Sequence, residues 1–319
     1  MDYEVVIIGG GVAGATAALF AARHGRSTAC LDSAIAGGQL LSISKIEDFP
    51  GFADGVAGFE LCPALQEQAM NAGAEFRTAA VEAIEPTAGD GWTVATADGP
   101  LTAGAVIVAS GSTPRKLGVP GEEQLQGRGI SHCASCDGPI YRDGTVVVIG
   151  AGDSALLEAL ELAQFAREVV LVHRGDALEG QETYTRRVLE SPAITIRYGS
   201  VVDEVLGEER LQGVRVRDLA SGSSEELEAG ALFPYIGSLG QTAFLGDRVA
   251  LDENGRIWTD ALMRTELAGL LAAGDVRSES VAQAIAVAGD GATAAVTADR
   301  FLRDGAWPTA AAAAVAASA

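Results

Sequence analysis

Short apolar runs alternate with longer alanine-rich stretches at the amino-terminal end of the chain. Residues 3–8 form an apolar run that enters a glycine-rich turn, and an alanine-rich stretch then extends to about Gly25. A second apolar run covers residues 27–31. A buried strand, a tight turn, a helix and another buried strand, in that order, are typical of a parallel βαβ unit. The pattern predicts such a unit over residues 3–31.

The same order of elements recurs further along the chain. Residues 145–149 are a valine-rich run, residues 156–165 have a helical pattern, and residues 168–172 are again apolar. A repeated supersecondary unit indicates that one arrangement has been used twice. The sequence therefore predicts two nucleotide-binding folds. One ligand site with one vestigial copy is the alternative.

Other stretches predict the elements that surround these two units. Helices are predicted over residues 58–72 and 281–302, the second interrupted at 289–291. Strands are predicted over residues 74–109, 195–216, 232–236 (interrupted by Pro234) and 270–273, and a hairpin tip over 220–226. The alanine-rich end, residues 309–319, predicts a frayed helix or a disordered tail.

Glycines at fixed spacing mark the first βαβ unit as a dinucleotide site. Gly9, Gly11 and Gly14 fill the G-x-G-x-x-G pattern, in which the glycines allow a tight turn, an approaching pyrophosphate and close helix packing. Asp32 ends the next strand, about 20 residues later, where a ribose-binding carboxylate is expected. The second unit carries Gly150, Gly152, Asp153 and Ser154, with Ala155 in the place of the third glycine.

The Cys133-x-x-Cys136 pair, followed by Asp137, indicates thiol chemistry. On the first turn of a helix, backbone N–H groups and the helix dipole lower a thiolate pKa, and Asp137 can exchange a proton with the leaving sulfur. Half of a zinc site is the alternative. A structural zinc needs four ligands, and the remaining cysteines and histidines (Cys30, Cys62, His24, His132, His173) include no second paired spacing. A redox pair and no metal is the prediction.

Composition limits the partners and the compartment. The net charge of −21 argues against a nucleic acid or an anionic membrane as partner. Four cysteines with one close pair indicate a reducing compartment. Neither a basic leader nor an uninterrupted apolar stretch of about 18 residues is present. We therefore expect a cytoplasmic protein.

Together the motifs resemble the low-molecular-weight thioredoxin reductase family of flavoproteins. The resemblance covers roughly residues 3–302. It rests on both glycine turns and on Gly37-Gly38-Gln39-Leu40, Phe49-Pro50-Gly51, Ala109-Ser110-Gly111, Cys133-Ala134-Ser135-Cys136-Asp137-Gly138 and Ala273-Gly274-Asp275-Val276-Arg277. It implies an α/β fold of two Rossmann-like, three-layer ββα dinucleotide-binding domains, the second inserted into the first. The expected boundaries are 1–113 plus 246–319 for an FAD domain and 114–245 for the inserted domain.

The resemblance also implies roles for individual residues. Cys136 is expected to face the flavin, Cys133 to exchange with a thioredoxin-like protein or a small dithiol or disulfide, and Asp137 to act as acid–base. A homodimer is implied as well. The residues expected to contact FAD are Gly9, Gly11, Gly14, Asp32, Gln39, Asp48, Gly111, Asp275, Gln283 and Ala284.

Departures from the family pattern argue against standard use of NADPH. A second nucleotide site would involve Gly150, Gly152, Asp153, Ser154, Ala155, His173 and Arg174. Members that use NADPH carry a His-Arg-Arg run and a further arginine, whereas this chain has Gly175 and Glu179 in place of two of those arginines. Replacing a cation by an anion beside a 2′-phosphate removes charge-assisted bonds worth about 1–3 kcal/mol each. Three further departures agree: Ala282 replaces an arginine, Gly237-Ser238-Leu239-Gly240 replaces a Gly-His-x-Pro run, and Asp48 replaces an asparagine.

Several electron donors remain open at the level of sequence. NADPH could be retained through Arg186 or Arg187, or NADH could donate to Glu179 or Asp176 from its free 2′-hydroxyl. The reading we favour is a pyridine-nucleotide-independent branch, whose members are reduced by ferredoxin, oxidise dithiols with oxygen, or hold a second FAD or another adenine nucleotide. The alternative in which the protein is not an enzyme is a redox sensor.

Overall fold

The fold is that of a computed structural model, which describes residues 1–34 and 36–307. The predicted frayed helix or tail at residues 309–319 lies outside the described residues. The chain forms two compact units. Unit 1 combines Met1–Thr113 with the chain from Leu239 onward, and unit 2 is Pro114–Ser238.

The chain re-enters unit 1 at Leu239, earlier than the expected 245/246 boundary. The Gln241 N–H donates to the Gly111 carbonyl at 3.0 Å, and the Thr242 hydroxyl donates to Gly255 at 2.8 Å. Leu245 is fully buried in the core of unit 1. These contacts attach the segment to unit 1.

The helices and strands of both units follow in chain order. The strands are β1 (Tyr3–Ile8), β2 (Thr28–Asp32), β3 (Glu75–Thr78), β4 (Val81–Pro86), β5 (Trp92–Thr96), β6 (Leu101–Val108), β7 (Ser112–Pro114), β8 (Thr145–Ile149), β9 (Glu168–Val172), β10 (Ile194–Arg197), β11 (Ser200–Leu206), β12 (Gly213–Asp218), β13 (Ser224–Glu228), β14 (Ala231–Pro234), β15 (Ser238–Gly240) and β16 (Leu270–Ala272). The helices are α1 (Val12–Arg23), α2 (Gly58–Asn71), α3 (Glu122–Leu125), α4 (Ala134–Asp137), α5 (Asp153–Leu162), α6 (Glu182–Glu190) and α7 (Ala284–Asp304). Short 3₁₀ turns occur at Gly38–Ser42, Gly138–Tyr141 and Ala243–Leu245.

Unit 1 is built on a mixed sheet with the order β3-β2-β1-β6-β5-β4, in which β16 also pairs with β6. Strands β1, β2, β3, β6 and β16 are parallel to one another, whereas β4 and β5 are antiparallel to their neighbours. Strand β6 pairs with β5 through its first residues, Leu101 to Ala103, and with β16 through its last residues, Val106 to Val108. The long apolar strand therefore joins the parallel sheet to an antiparallel meander.

Both faces of the parallel sheet in unit 1 are covered. Val5 and Ile7 of β1 pack with α1 and α7, while Val6 and Ile8 pack on the side of the meander with Ile84. All five of these side chains are at most 5% exposed. Burying each contributes roughly 1.5–3 kcal/mol, which explains why the strand is a continuous apolar run and does not alternate.

Helix α7 is continuous, so the predicted interruption at 289–291 is wrong. A Cβ on Gly291 would lie 2.1 Å from the Ala13 carbonyl oxygen, which means that this glycine permits close packing of α7 on α1. The Asp290 carboxylate is buried and pairs with the Arg277 guanidinium at 2.6 Å. Residues 289–291 are therefore part of the helix, where Gly291 allows a close helix contact and Asp290 forms a buried ion pair.

Unit 2 repeats the layered arrangement. Its parallel sheet has the order β10-β9-β8-β14, and β11, β12 and β13 form an antiparallel sheet. Val146 and Val148 pack on the side of α5 and α6, whereas Val147 and Ile149 pack on the side of the antiparallel sheet. Pro234 is tolerated because β14 is an edge strand.

The predicted hairpin tip at 220–226 is shorter in the structure, where residues 219–223 connect the antiparallel strands β12 and β13. Strand β13 begins at Ser224, with Glu226 opposite Arg215 and Ser224 opposite Arg217 in the register. The Arg215 guanidinium donates to Glu226 at 2.9 Å. Cross-strand ion pairs therefore support a strand whose acidic composition resembles a loop.

The predicted fold class is confirmed: an α/β chain with two Rossmann-like, three-layer units, the second inserted into the first. Within residues 1–34 and 36–307, no helix combines the length and apolarity that crossing a bilayer requires.

Candidate active site

The first glycine turn joins β1 to α1 and leaves one face open. Gly9 has φ +105°, and a Cβ there would lie 2.3 Å from the Ala109 carbonyl oxygen. A Cβ on Gly14 would lie 1.8 Å from the Gly9 carbonyl oxygen, whereas one on Gly11 would meet nothing closer than 3.9 Å. Gly9 and Gly14 therefore close the turn, and Gly11 leaves room for a ligand at the start of α1. This geometry fits the pyrophosphate of a dinucleotide.

Asp32 holds this turn from the end of β2. Its carboxylate accepts the Gly10 N–H at 2.6 Å and the Ala34 N–H at 3.0 Å. These bonds orient the carboxylate beside the glycine turn, and its remaining lone pairs are those a ribose hydroxyl would use. Its role as a ribose ligand stays a prediction.

We expect Asp32→Asn to weaken FAD binding roughly 10- to 100-fold. The substitution removes a charge-assisted bond to Gly10 and the charged acceptor for ribose, together about 1.5–3 kcal/mol. Ultrafiltration followed by flavin fluorescence of the filtrate measures the dissociation constant. Asp98→Asn, which neutralises an exposed carboxylate of the same unit, is the control. Equal affinities in both variants would contradict the role of Asp32.

Gln39 and Gly111 lie together with the first glycine turn. The Gln39 side-chain amide donates to the Ser112 carbonyl at 2.5 Å, next to Gly111, whose φ is +70°. A Cβ on Gly38 would lie 3.3 Å from the Gly11 Cα, which places the 37–38 loop beside Gly11. The structure thus brings these predicted FAD residues to one edge of the sheet.

Cys62 lies below this loop, as expected of a core residue. Its thiol donates to the Gly37 carbonyl at 3.3 Å and is 3% exposed. Burial raises the pKa of the Cys62 thiol to about 11. It is therefore a protonated structural thiol at neutral pH.

The loop between β16 and α7 carries the remaining residues expected to bind FAD. The Asp275 carboxylate accepts the Ser280 hydroxyl at 2.8 Å, and the Gly274 N–H donates to the buried Asp290 at 3.2 Å. Gln283 is the N-cap of α7, and Ala284 is its first residue. Asp48 differs: it is exposed, in the loop between the paired residues Ile46 and Val56.

The structure closes Cys133 and Cys136 into a disulfide on the first turn of α4. The Cα atoms are 5.3 Å apart, and the sulfur of Cys133, the N-cap residue, accepts the Cys136 N–H at 3.2 Å. The Ser131 hydroxyl accepts the Cys133 N–H at 3.1 Å. Cys136 is exposed and Cys133 is half-buried. Which sulfur faces the flavin stays a prediction.

Asp137 follows the disulfide as the last residue of α4. Its N–H donates to the Cys133 carbonyl at 3.1 Å, and its side chain is half-buried. Burial, with a smaller contribution from the charge of Asp137, raises the pKa of Tyr141. Asp137 therefore directly follows Cys136 on α4, and its acid–base role stays a prediction.

Glu158 is a polar residue of this region that the sequence reasoning missed. Its carboxylate, 8% exposed on α5, accepts the Ala134 N–H at 2.6 Å. Burial raises the pKa of Glu158, and the bond from Ala134 partly offsets this. The available signal was an acid among apolar positions at helical spacing: Ala155, Ala159 and Leu162 are also buried.

The second glycine turn, between β8 and α5, is also open at its middle glycine. A Cβ on Gly150 would lie 2.4 Å from the Tyr235 carbonyl oxygen, whereas one on Gly152 would meet nothing within 4 Å. Ala155 is buried, and Ser154 is exposed. The Asp153 carboxylate accepts the Gln181 N–H at 2.6 Å, so Asp153 fixes a neighbouring loop.

That loop places an anion at the second turn. The Glu179 N–H donates to the Ala151 carbonyl at 2.9 Å, and its carboxylate lies 3.7 Å from Nε2 of the buried His173. Arg174 is exposed, and Gly175 lies so close to His173 that a Cβ there would be 2.5 Å from Nε2. Glu179 is therefore attached to the second turn through its backbone.

The described residues contain no group of three or more His, Cys, Asp or Glu side chains that could hold a metal ion.

Comparison with known proteins identifies the family. The family model described as pyridine nucleotide-disulphide oxidoreductase matches residues 3–292. The thioredoxin reductase of Streptomyces coelicolor is 41% identical over 302 residues, covering 94% of each chain. That of Treponema pallidum is 39% identical over 301 residues, covering 94% of this chain and 97% of its own. The crystal structure of Lactococcus lactis thioredoxin reductase (FR conformation) matches with a TM-score of 0.92 and 38% identity, covering 95% of this chain and 99% of that one. This chain therefore belongs to the pyridine nucleotide-disulphide oxidoreductase family, as a thioredoxin reductase-like, flavin-dependent disulfide oxidoreductase.

Proposed function

We propose that the chain binds one FAD at the first glycine turn and passes two electrons between that flavin and a substrate through Cys133 and Cys136. The observation that carries this proposal is the disulfide on the first turn of α4, followed directly by Asp137. A closed pair at a helix start, with Cys136 exposed, is a redox centre that another molecule can reach.

The first glycine turn fits FAD because Gly11 leaves room at the start of α1. Gly9, Gly14 and Asp32 shape the turn, while Gln39, Gly111 and Asp275 lie on neighbouring loops. FAD, when bound, supplies the two-electron chemistry. We propose that Gln283 and Ala284, at the N-terminus of α7, hold the isoalloxazine end.

The order in which we propose that the two sulfurs react is the one that the family resemblance implies. In the reduced pair, the Cys133 thiolate attacks a substrate disulfide, one substrate sulfur leaves as a thiol, and a mixed disulfide remains. Cys136 then attacks Cys133, which restores the internal disulfide and releases the second substrate sulfur. Asp137 supplies the proton for a leaving thiolate.

The substrate we propose is a thioredoxin-like protein, because the similar proteins named above are thioredoxin reductases. We also propose a cytoplasmic homodimer. Support for the dimer comes from large apolar side chains that unit 1 leaves exposed, namely Phe52, Phe59, Val281 and Ile285.

The electron donor we propose lacks a 2′-phosphate, so it is not NADPH. Glu179 is attached to the second glycine turn through Ala151, and its carboxylate points to the region of His173. An anion there repels a phosphate that the family's arginines would bind. The open Gly152 still fits the pyrophosphate of another adenine nucleotide.

Two occupants of the second glycine turn satisfy this condition: a second FAD, which we favour and which an external donor such as ferredoxin would have to reduce, and NADH. The contrary observation is that Arg174 is exposed near Glu179 and α6 carries Arg186 and Arg187, so NADPH binding through rearranged arginines is the alternative. Two other functions are distinguishable from a disulfide reductase by assay. A dithiol oxidase would consume oxygen with small dithiols, and a redox sensor would show no multiple turnover.

Anaerobic titration tests the donor. We expect NADPH to bleach the bound flavin poorly, while dithionite bleaches it fully. Acid extraction and absorbance count the flavins, with two per chain supporting a second FAD. Rapid, stoichiometric bleaching by NADPH would overturn the donor proposal and leave the disulfide chemistry intact.

A further inference from the structure

A buried carboxylate lies behind the redox disulfide. Glu158 accepts the N–H of Ala134, the residue that follows Cys133, at 2.6 Å. Ser131 accepts the preceding N–H, that of Cys133 itself. Two side-chain acceptors therefore fix the backbone on both sides of the Cys133 Cα, and Glu158 is the one that can ionise.

Holding a charge at this position costs stability. Burial raises the pKa of Glu158 above its ordinary value of 4.5. The folded chain then binds this proton more tightly than the unfolded chain, so stability is lost as the pH rises from about 4.5 through the raised pKa. Glutamine would offer an acceptor to Ala134 without this loss. A neutral residue at this position would therefore give a more stable fold than the acid at neutral pH.

The ionisable groups around Glu158 do not neutralise it. The Tyr235 hydroxyl faces it without a well-aligned hydrogen bond, and its pKa is raised by burial and then by the charge of Glu158. The charge of Glu161, on the same helix, also raises the pKa of Glu158. Elements α4, α6, β8 and β9 pack against α5. Asp137 of α4 and Glu168 of β9 are acidic, and β8 has no ionisable side chain. On α6, Tyr184 is buried and the charged side chains are exposed.

We propose that Glu158 is a positioning residue of the redox centre, whose carboxylate fixes the first turn of α4 and opposes thiolate formation in the reduced Cys133–Cys136 pair. The inference rests on the proposed redox function of that pair. When the reduced pair loses a proton, a negative sulfur forms next to the peptide that Glu158 binds. The two like charges raise the pH at which the proton leaves. Glu158 thereby keeps the reduced pair protonated over a wider pH range.

Alkylation of the reduced holoenzyme tests the proposal without any electron donor. The protein with FAD bound is reduced by a trialkylphosphine, desalted anaerobically and treated with iodoacetamide between pH 5 and 10. Mass spectrometry of the peptides gives a rate for each cysteine. We expect Glu158→Gln to lower the midpoint of the rate profile by about one pH unit. The reaction well below the midpoint then becomes about threefold faster, because the tenfold gain in thiolate is partly offset by its lower nucleophilicity. Tyr235→Phe removes a hydroxyl that favours the charged form of Glu158 and should shift the midpoint in the same direction, by less.

Glu161→Gln is the matched control because it neutralises an acid on the same helix that is more exposed. Its midpoint should move by less than half of the shift in Glu158→Gln. Equal FAD content and equal far-ultraviolet circular dichroism establish that each variant is folded. An unchanged midpoint in a folded Glu158→Gln protein, or an equal shift in Glu161→Gln, would overturn the proposal. Failure of the redox function itself would appear separately, as wild-type protein that never reduces a disulfide.

Discussion

Cys136→Ser is expected to keep its bound FAD and to lose at least about 10³-fold in disulfide turnover. The serine hydroxyl has no accessible anion at neutral pH and cannot form a disulfide with Cys133, so electrons have no path between the pair and the flavin. The disulfide closes only a short loop, so its removal costs the fold at most about 2 kcal/mol. Steady-state assays with a thioredoxin-like disulfide or a small aromatic disulfide measure turnover. Flavin absorbance of the same samples measures retention.

Cys62→Ala is the control for loss of a thiol. That residue is buried, and its raised pKa keeps it protonated, so we expect turnover within a few-fold of the unchanged protein. Cys133→Ser should be as inactive as Cys136→Ser. A Cys136→Ser protein that still turns over many equivalents of disulfide would refute the assignment of the redox pair.

The elements predicted best from the sequence are strands that are buried on both faces of a sheet, because burial makes their residues apolar. Strands β1, β8 and β9 begin and end at the residues that the apolar runs indicated. A parallel strand covered on both faces has to be apolar over its buried length, and that pattern has few alternatives. Helix α5 begins at Asp153, before the predicted 156, because the open glycine Gly152 is its N-cap.

The elements predicted less well depend on partners that are distant in sequence. Strand β13 is acidic, and its first three residues were expected to belong to the hairpin tip that precedes it; only the pairing of β13 with the arginines of β12 reveals them as part of a strand. The glycines of α7 suggested a break, but the reason for Gly291 is the approach of Ala13 from α1. Propensity in a window cannot detect such contacts, because tertiary packing overrides it.

The same distinction holds for the sites. The glycine turns and the cysteine pair were readable because their chemistry depends on local spacing. Gln241, whose side chain donates to the Ser110 carbonyl at 2.9 Å, and Glu158 were missed because each acts on a segment far away in the chain. A buried acid becomes recognisable only when its hydrogen-bond partner is known.

Glu179→Arg is expected to increase affinity for NADPH by about 10²- to 10³-fold while changing affinity for NADH little. In the site that we propose, the substitution removes an anion beside the nucleotide and supplies a forked donor for the 2′-phosphate, and each charge-assisted bond contributes about 1.5–3 kcal/mol. Glu179 is a suitable position because its side chain is 71% exposed and its backbone bond to Ala151 does not depend on the side chain. Gly175→Arg is less suitable, since a Cβ there would lie 2.5 Å from Nε2 of His173.

Two measurements separate binding from electron transfer in this variant. Quenching of protein fluorescence on titration with NADPH or NADH gives the affinities, and anaerobic stopped-flow absorbance gives the rate of flavin bleaching. Glu182→Arg makes the same charge change at an exposed position at the start of α6 and is the control for long-range attraction. An equal gain in both variants would show that net charge alone is responsible. If Glu179→Arg leaves NADPH affinity unchanged, Glu179 does not face the phosphate, and the argument against NADPH loses its physical basis. If affinity increases but bleaching does not, the second glycine turn binds an adenine nucleotide from which electrons do not reach the flavin, as expected for a site whose normal occupant is not a nicotinamide.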